Sequence, residues 1–116
     1  MNYRFSYADT QSESPRHARS QERELLRQSI QLMIDAQAAN APANAPVEAI
    51  HFASRIWTAF LNDLSSQENA LPAKLRADLI SIGIWILGEL DAIRLGGGSD
   101  FTDVIEITET IREGLL

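Results

Sequence analysis

The chain contains no cysteine, which excludes disulfides, thiolate nucleophiles and thiolate metal sites at once. That composition fits a reducing compartment. Histidine is almost as scarce. His17 and His51 are the two present, and they lack the paired spacing of a metal motif. A structural or surface role is expected for both, and no metal or cofactor. Long apolar runs are also missing: the longest, Leu79 to Leu87, is interrupted by Ser81 and Gly83. A membrane span needs about 20 such residues, so no insertion is expected. The opening MNYRFSYADTQSESPR has no apolar core of a secretory signal. A cytoplasmic protein is expected.

Cations are the minority charge. Ten Lys and Arg stand against sixteen Asp and Glu, a net charge of −6. Residues 1–65 carry six Arg against seven acids, and residues 66–116 four cations against nine. Broad contact with nucleic acid needs clustered cations, so RNA is not an expected partner over most of the surface.

What is present is ordinary globular composition, 45% hydrophobic and 22% charged over 116 residues. One domain, 1–116, with its own apolar core is expected. Tyr3, Phe5 and Tyr7 alternate with polar residues in a segment with no second strand candidate to pair with. Residues 1–13 are therefore read as an extended arm that packs on its own helices or grips a partner.

Ser14-Pro15 has the form of an N-cap and first helical position, and predicts a helix over 14–39. Leu26, Ile30, Met33 and Gln37 keep its period, widened by Leu25, Leu32 and Ala36. NAPANAP at 40–46 is a linker. The second helix, 46–64, carries Val47, Ile50, Ser54, Trp57, Leu61 and Leu64 on one stripe and Phe52, Ile56 and Phe60 on another. Leu71-Pro72 opens a third, 72–95, with Leu75, Leu79, Ile82, Ile86, Leu90 and Ile93 on one face. Ile80, Ile84, Trp85 and Leu87 make that helix apolar on other faces too. Gly83 and Gly88 each cost about 1 kcal/mol of helix propensity, which a close helix approach would explain. Gly96-Gly97-Gly98 ends it. Ser99 or Asp100 caps a fourth helix, 100–114, with Phe101, Val104, Ile105, Thr108, Ile111 and Leu115 inside and an acidic exterior. The fold class is all-α, a compact bundle of about four helices with an extended N-terminal arm.

No constellation supports catalysis, and the chain is not expected to be an enzyme. Glu89 and Asp91 are two apart on a helix and do not face each other. The glycine run lacks the strand and the Lys-Ser/Thr end of a phosphate loop. Arg16, Arg19, Arg23 and Arg27 share one helical stripe, readable as a solvated face with ion pairs, a protein contact or an RNA contact. Trp57 and Trp85 are core residues or interface anchors. The second and third helices hold more apolar surface than a small bundle readily covers, which hints at a groove for an amphipathic helix.

Four blocks, FSYAD, RIWTAFLNDL, LPAKLRADLISIGIWIL and FTDVIEITETIREGL, resemble the FlaF family of flagellar biosynthesis regulators. The resemblance spans nearly the whole chain, with the 40–46 linker and the 96–98 glycines as loop variation. It implies a role in flagellum biogenesis, acting with the companion regulator FlbT on flagellin synthesis and associating directly with flagellin for secretion. An alternative is post-transcriptional regulation on flagellin mRNA, directly or with FlbT. The family offers no catalytic residues or cofactor to carry over. Its implied partner gives the spare apolar surface a purpose, since flagellin's terminal regions are amphipathic helices. Phe52, Ile56, Phe60 and Trp85 are expected to border the receiving groove, helped by Tyr3, Phe5 and Tyr7.

Overall fold

The computed structural model describes residues 15–114. Tyr3, Phe5, Tyr7 and the rest of the arm, the side chains of Arg16 and His17, and Leu115 lie outside the described residues. Among the described residues four helices follow one another: α1 (Pro15–Gln37), α2 (Ala45–Leu64), α3 (Ala73–Gly96) and α4 (Thr102–Glu113). No strand occurs among the described residues. The protein is an all-α four-helix bundle.

The periodic residues explain the packing. Leu26, Met33 and Ala36 of α1, Ala49, Ala53, Ile56 and Trp57 of α2, Ile86 and Leu90 of α3, and Phe101 and Val104 before and within α4 form one buried cluster. Trp57 meets Phe60 edge-on, with ring centroids 5.5 Å apart at 84°, the arrangement the ring quadrupoles favour. Ser29 and Thr108 are also fully buried, and neither hydroxyl has a partner among the described residues.

Several helix ends have a traceable cause. Pro46 sits in the first turn of α2, where its missing N–H has no intrahelical role. The turn before α3 is closed by Asn69. Its side-chain oxygen accepts the Leu71 N–H at 3.0 Å, and its amide donates to Asp63 at 3.0 Å. α3 stops at Gly97, whose φ of +67° is the left-handed conformation that glycine adopts without penalty. The Gly98 N–H then returns to the Ile93 carbonyl at 3.2 Å, a Schellman closure.

The start of α4 departs from expectation. Asp100 does accept the Thr102 N–H at 3.1 Å, but the Phe101 N–H is taken by Gln37 Oε1 at 2.6 Å. Gln37 thus caps a helix from which it is remote in sequence instead of extending the apolar stripe of α1. Hydrogen bonds from Thr102 hold the Asp100 carboxyl below its usual range, the side-chain bond more than the backbone one.

Two contacts set the helix directions. Gln37 at the end of α1 meets the start of α4, and the Arg112 guanidinium near the end of α4 donates to the Arg23 carbonyl at 3.2 Å. α4 therefore runs antiparallel to α1. α1 packs on α2, α2 on α3 and α1 on α4, whereas α3 and α4 touch only narrowly. The bundle is thus open along its α3/α4 seam, and α3 is held mainly by α2.

Candidate functional site: the outer face of the third helix

The rotation of α3 is fixed by Gly83. A Cβ there would lie 2.9 Å from Leu61 Cδ2 and 3.3 Å from Trp57 Cε3, so the glycine is what lets α2 and α3 approach. Each residue turns a helix by about 100°. Ile84, Trp85, Gly88, Ala92 and Leu95 then lie between about 100° and 200° around from Gly83, pointing away from α2. Burial agrees: Gly83, Ile86 and Leu90 are buried, while Ile84 is 60% exposed, Trp85 41% and Leu95 72%. Ala77, Ser81, Gly88 and Ala92 on the same sector are exposed too. The face is therefore apolar, uncharged along its middle and about 27 Å long from Ala77 to Leu95.

Such a face is unusual on a surface helix, which ordinarily turns polar residues outward. Exposed large hydrophobic residues concentrate on this stretch of chain: Leu71, Leu75, Ile84, Trp85 and Leu95, with Val47 and Ile34 elsewhere among the described residues. Its flanks carry charge. Lys74 pairs with Asp78 at 3.1 Å and Arg94 with Asp91, each within the helix. Glu89 makes no ion pair among the described residues.

The expected groove residues do not come together. Ile56 and Phe60 are buried in the core and present nothing to a partner. Phe52 is half-buried and packs against that core. It stands nine residues from Leu61, hence about 180° around α2 from the α3 contact. Trp85 faces outward on α3, so the two aromatics sit on opposite sides of the α2/α3 pair. Trp57 is a core residue, whereas Trp85 is not. Two further stripe positions are corrected as well. Val47 is exposed in the first turn of α2, and Leu75 is exposed near the start of α3. Leu75 lies about 12 Å along the axis from the Gly83 contact, while α2 ends three residues after Leu61, so the stripe overhangs its neighbour.

The residues that sequence reasoning missed are Leu95 and Gly88 as members of one outward face with Ile84 and Trp85. The available signal was the apolar character of α3 on every side. What could not be read was which side α2 would take.

The arginine stripe is not an open track of cations. Arg27 is held by three bonds to Glu24 at 2.8, 3.0 and 2.8 Å, and Arg23 is half-buried beside α4. Arg19 is exposed. Next to it Glu22 is withdrawn from water, and its pKa is raised to about 7. Desolvation is the main cause and the Asp63 carboxylate adds to it, against the opposing charge of Arg19. His51 is exposed on α2.

A family model described as "Flagellar protein FlaF" matches residues 3–115. The chain belongs to the FlaF family. No curated protein and no solved structure matches it. As a FlaF family member it is a flagellar protein, and among the described residues no helix is long and apolar enough to cross a membrane.

Proposed function

We propose that this FlaF family protein binds flagellin in the cytoplasm, as a chaperone or adaptor that supports or regulates flagellin synthesis and secretion. The observation that carries this reading is the uncovered apolar face of α3, with Ile84, Trp85 and Leu95 exposed on one side of one helix. A face one helix wide, apolar at its centre and charged at its edges, suits an amphipathic helix laid along it. Flagellin's terminal segments are helices of that kind, and they aggregate when left unpaired. The activity proposed is binding, with the charged side chains at the edges of the face, Lys74 with Asp78 and Arg94 with Asp91, paired within the helix.

The messenger-RNA reading would rest on the arginine stripe. Arg27 is committed to Glu24, and the net charge of −6 opposes polyanion contact.

Calorimetric titration with monomeric flagellin, full-length and lacking either terminus, tests the proposal. Saturable binding that disappears with one terminus, and in the Ile84→Asp/Leu95→Asp variant, is the expected result. Absence of binding at tens of micromolar would overturn it and transfer the face to another occupant such as FlbT.

A further inference from the structure

α3 has two glycines within its middle turns, and the structure accounts for only one. Gly83 is required by the close approach of Leu61 and Trp57. Gly88 has nothing within 4 Å of where a Cβ would stand, although glycine inside a helix is unfavourable relative to alanine. It lies in the middle of the exposed apolar face, between Ile84 and Trp85 on one turn and Ala92 and Leu95 on the next.

We propose that Gly88 is the point at which an amphipathic helix of another protein crosses α3, its backbone seated over the glycine with Ile84, Trp85 and Leu95 around it. The inference rests on the reading of this face as the docking surface, and adds where the partner lies and what it must be. A missing Cβ lets two helix axes come closer than side chains otherwise allow, which is the role Gly83 already has inside the fold.

The surface also favours a foreign helix over a second copy of this chain. The face is about 27 Å long and about 10 Å wide. Charge separates the two occupants. Asp78 and Glu89 lie along one flank and Asp91 along the other, with Asp78 paired to Lys74 and Asp91 to Arg94. Two copies meeting here would bring like charges together at Glu89, which makes no ion pair among the described residues. The occupant is therefore a helix with an apolar stripe flanked by Lys or Arg, one of them placed to meet Glu89.

The test uses the full chain with Gly88→Ala and Gly88→Leu, measured for thermal stability and for affinity to monomeric flagellin. Gly88→Ala is expected to raise the melting temperature by several degrees, because the helix gains propensity and meets no clash. It should nevertheless weaken flagellin binding about tenfold, and Gly88→Leu should abolish it. Unchanged affinity in both variants, with wild type binding, overturns the crossing while leaving flagellin capture intact. Should wild type not bind flagellin at all, a photo-crosslinker at Ser81 in living cells decides the crossing separately. Attachment to a mapped helical segment with basic flanks, lost in Gly88→Leu, sustains it. Attachment to a second copy, or to nothing, overturns it.

Discussion

The side-chain oxygen of Gln37, the last residue of α1, accepts the backbone N–H of Phe101 at 2.6 Å, across 64 positions of sequence. This one bond satisfies a donor at the start of α4 and ties that short helix to the end of α1. Gln37→Leu keeps the size but removes the acceptor. It should destabilise the protein by about 1–2 kcal/mol, read from urea unfolding. Amides in the first turn of α4 should exchange with solvent sooner than those of α2. Unchanged exchange there would mean that Asp100 alone suffices as the cap.

The two glycines of α3 should respond to alanine with opposite signs. Gly83→Ala places a Cβ 2.9 Å from Leu61 Cδ2, 3.2 Å from Leu61 Cγ and 3.3 Å from a Trp57 ring carbon, closer than side chains normally pack. Overpacking of that kind costs about 1–3 kcal/mol and outweighs the propensity gained. A lowered melting temperature for Gly83→Ala beside a raised one for Gly88→Ala is the expected pair.

Thr108 is fully buried, and its hydroxyl has no partner among the described residues. An unsatisfied buried hydroxyl is costly, and valine has nearly the same shape without it. Thr108→Val should raise stability by about 1 kcal/mol in chemical denaturation. A loss instead would place an ordered water or a carbonyl at that hydroxyl.

Glu22 should make stability depend on pH in an uncommon direction. Its pKa rises from 4.5 to about 7 in the folded protein, chiefly through desolvation and secondly through Asp63. The folded state therefore holds a proton that the unfolded state releases at lower pH. The associated stability is present in full below pH 4.5, declines as pH rises, and is gone above about 7. Glu22→Gln should flatten that slope and stabilise the protein at pH 8 by about 2 kcal/mol. Melting curves between pH 5 and 8 would show it, and identical slopes for both proteins would contradict it.

Local chemistry made much of the fold legible. The 3.6-residue period identified the four helices, the prolines and glycines marked the turns, and the surplus of apolar surface on α3 was visible as a run without a polar side. The Gln37 cap was not legible, because it depends on two segments meeting in space. Val47 and Leu75 keep the period yet lie exposed, since periodicity says which residues share a face and not where a neighbouring helix ends. The same limit misassigned the groove. Ile56 and Phe60 were grouped with Trp85 as apolar rows, but the close approach at Gly83 turns the first two inward and Trp85 outward. Tyr3, Phe5 and Tyr7 lie outside the described residues and stay where the sequence left them.

The central claim is that the outer face of α3 receives a flagellin helix. Backbone amide NMR of the isotope-labelled protein, titrated with peptides of the two flagellin termini, tests it residue by residue. Shifts confined to residues 77–95 and their outward side chains, saturating with one peptide and absent with the other, are the predicted result. Shifts centred on the arginine stripe of α1 or on the acidic side of α4, with α3 unmoved, would contradict it.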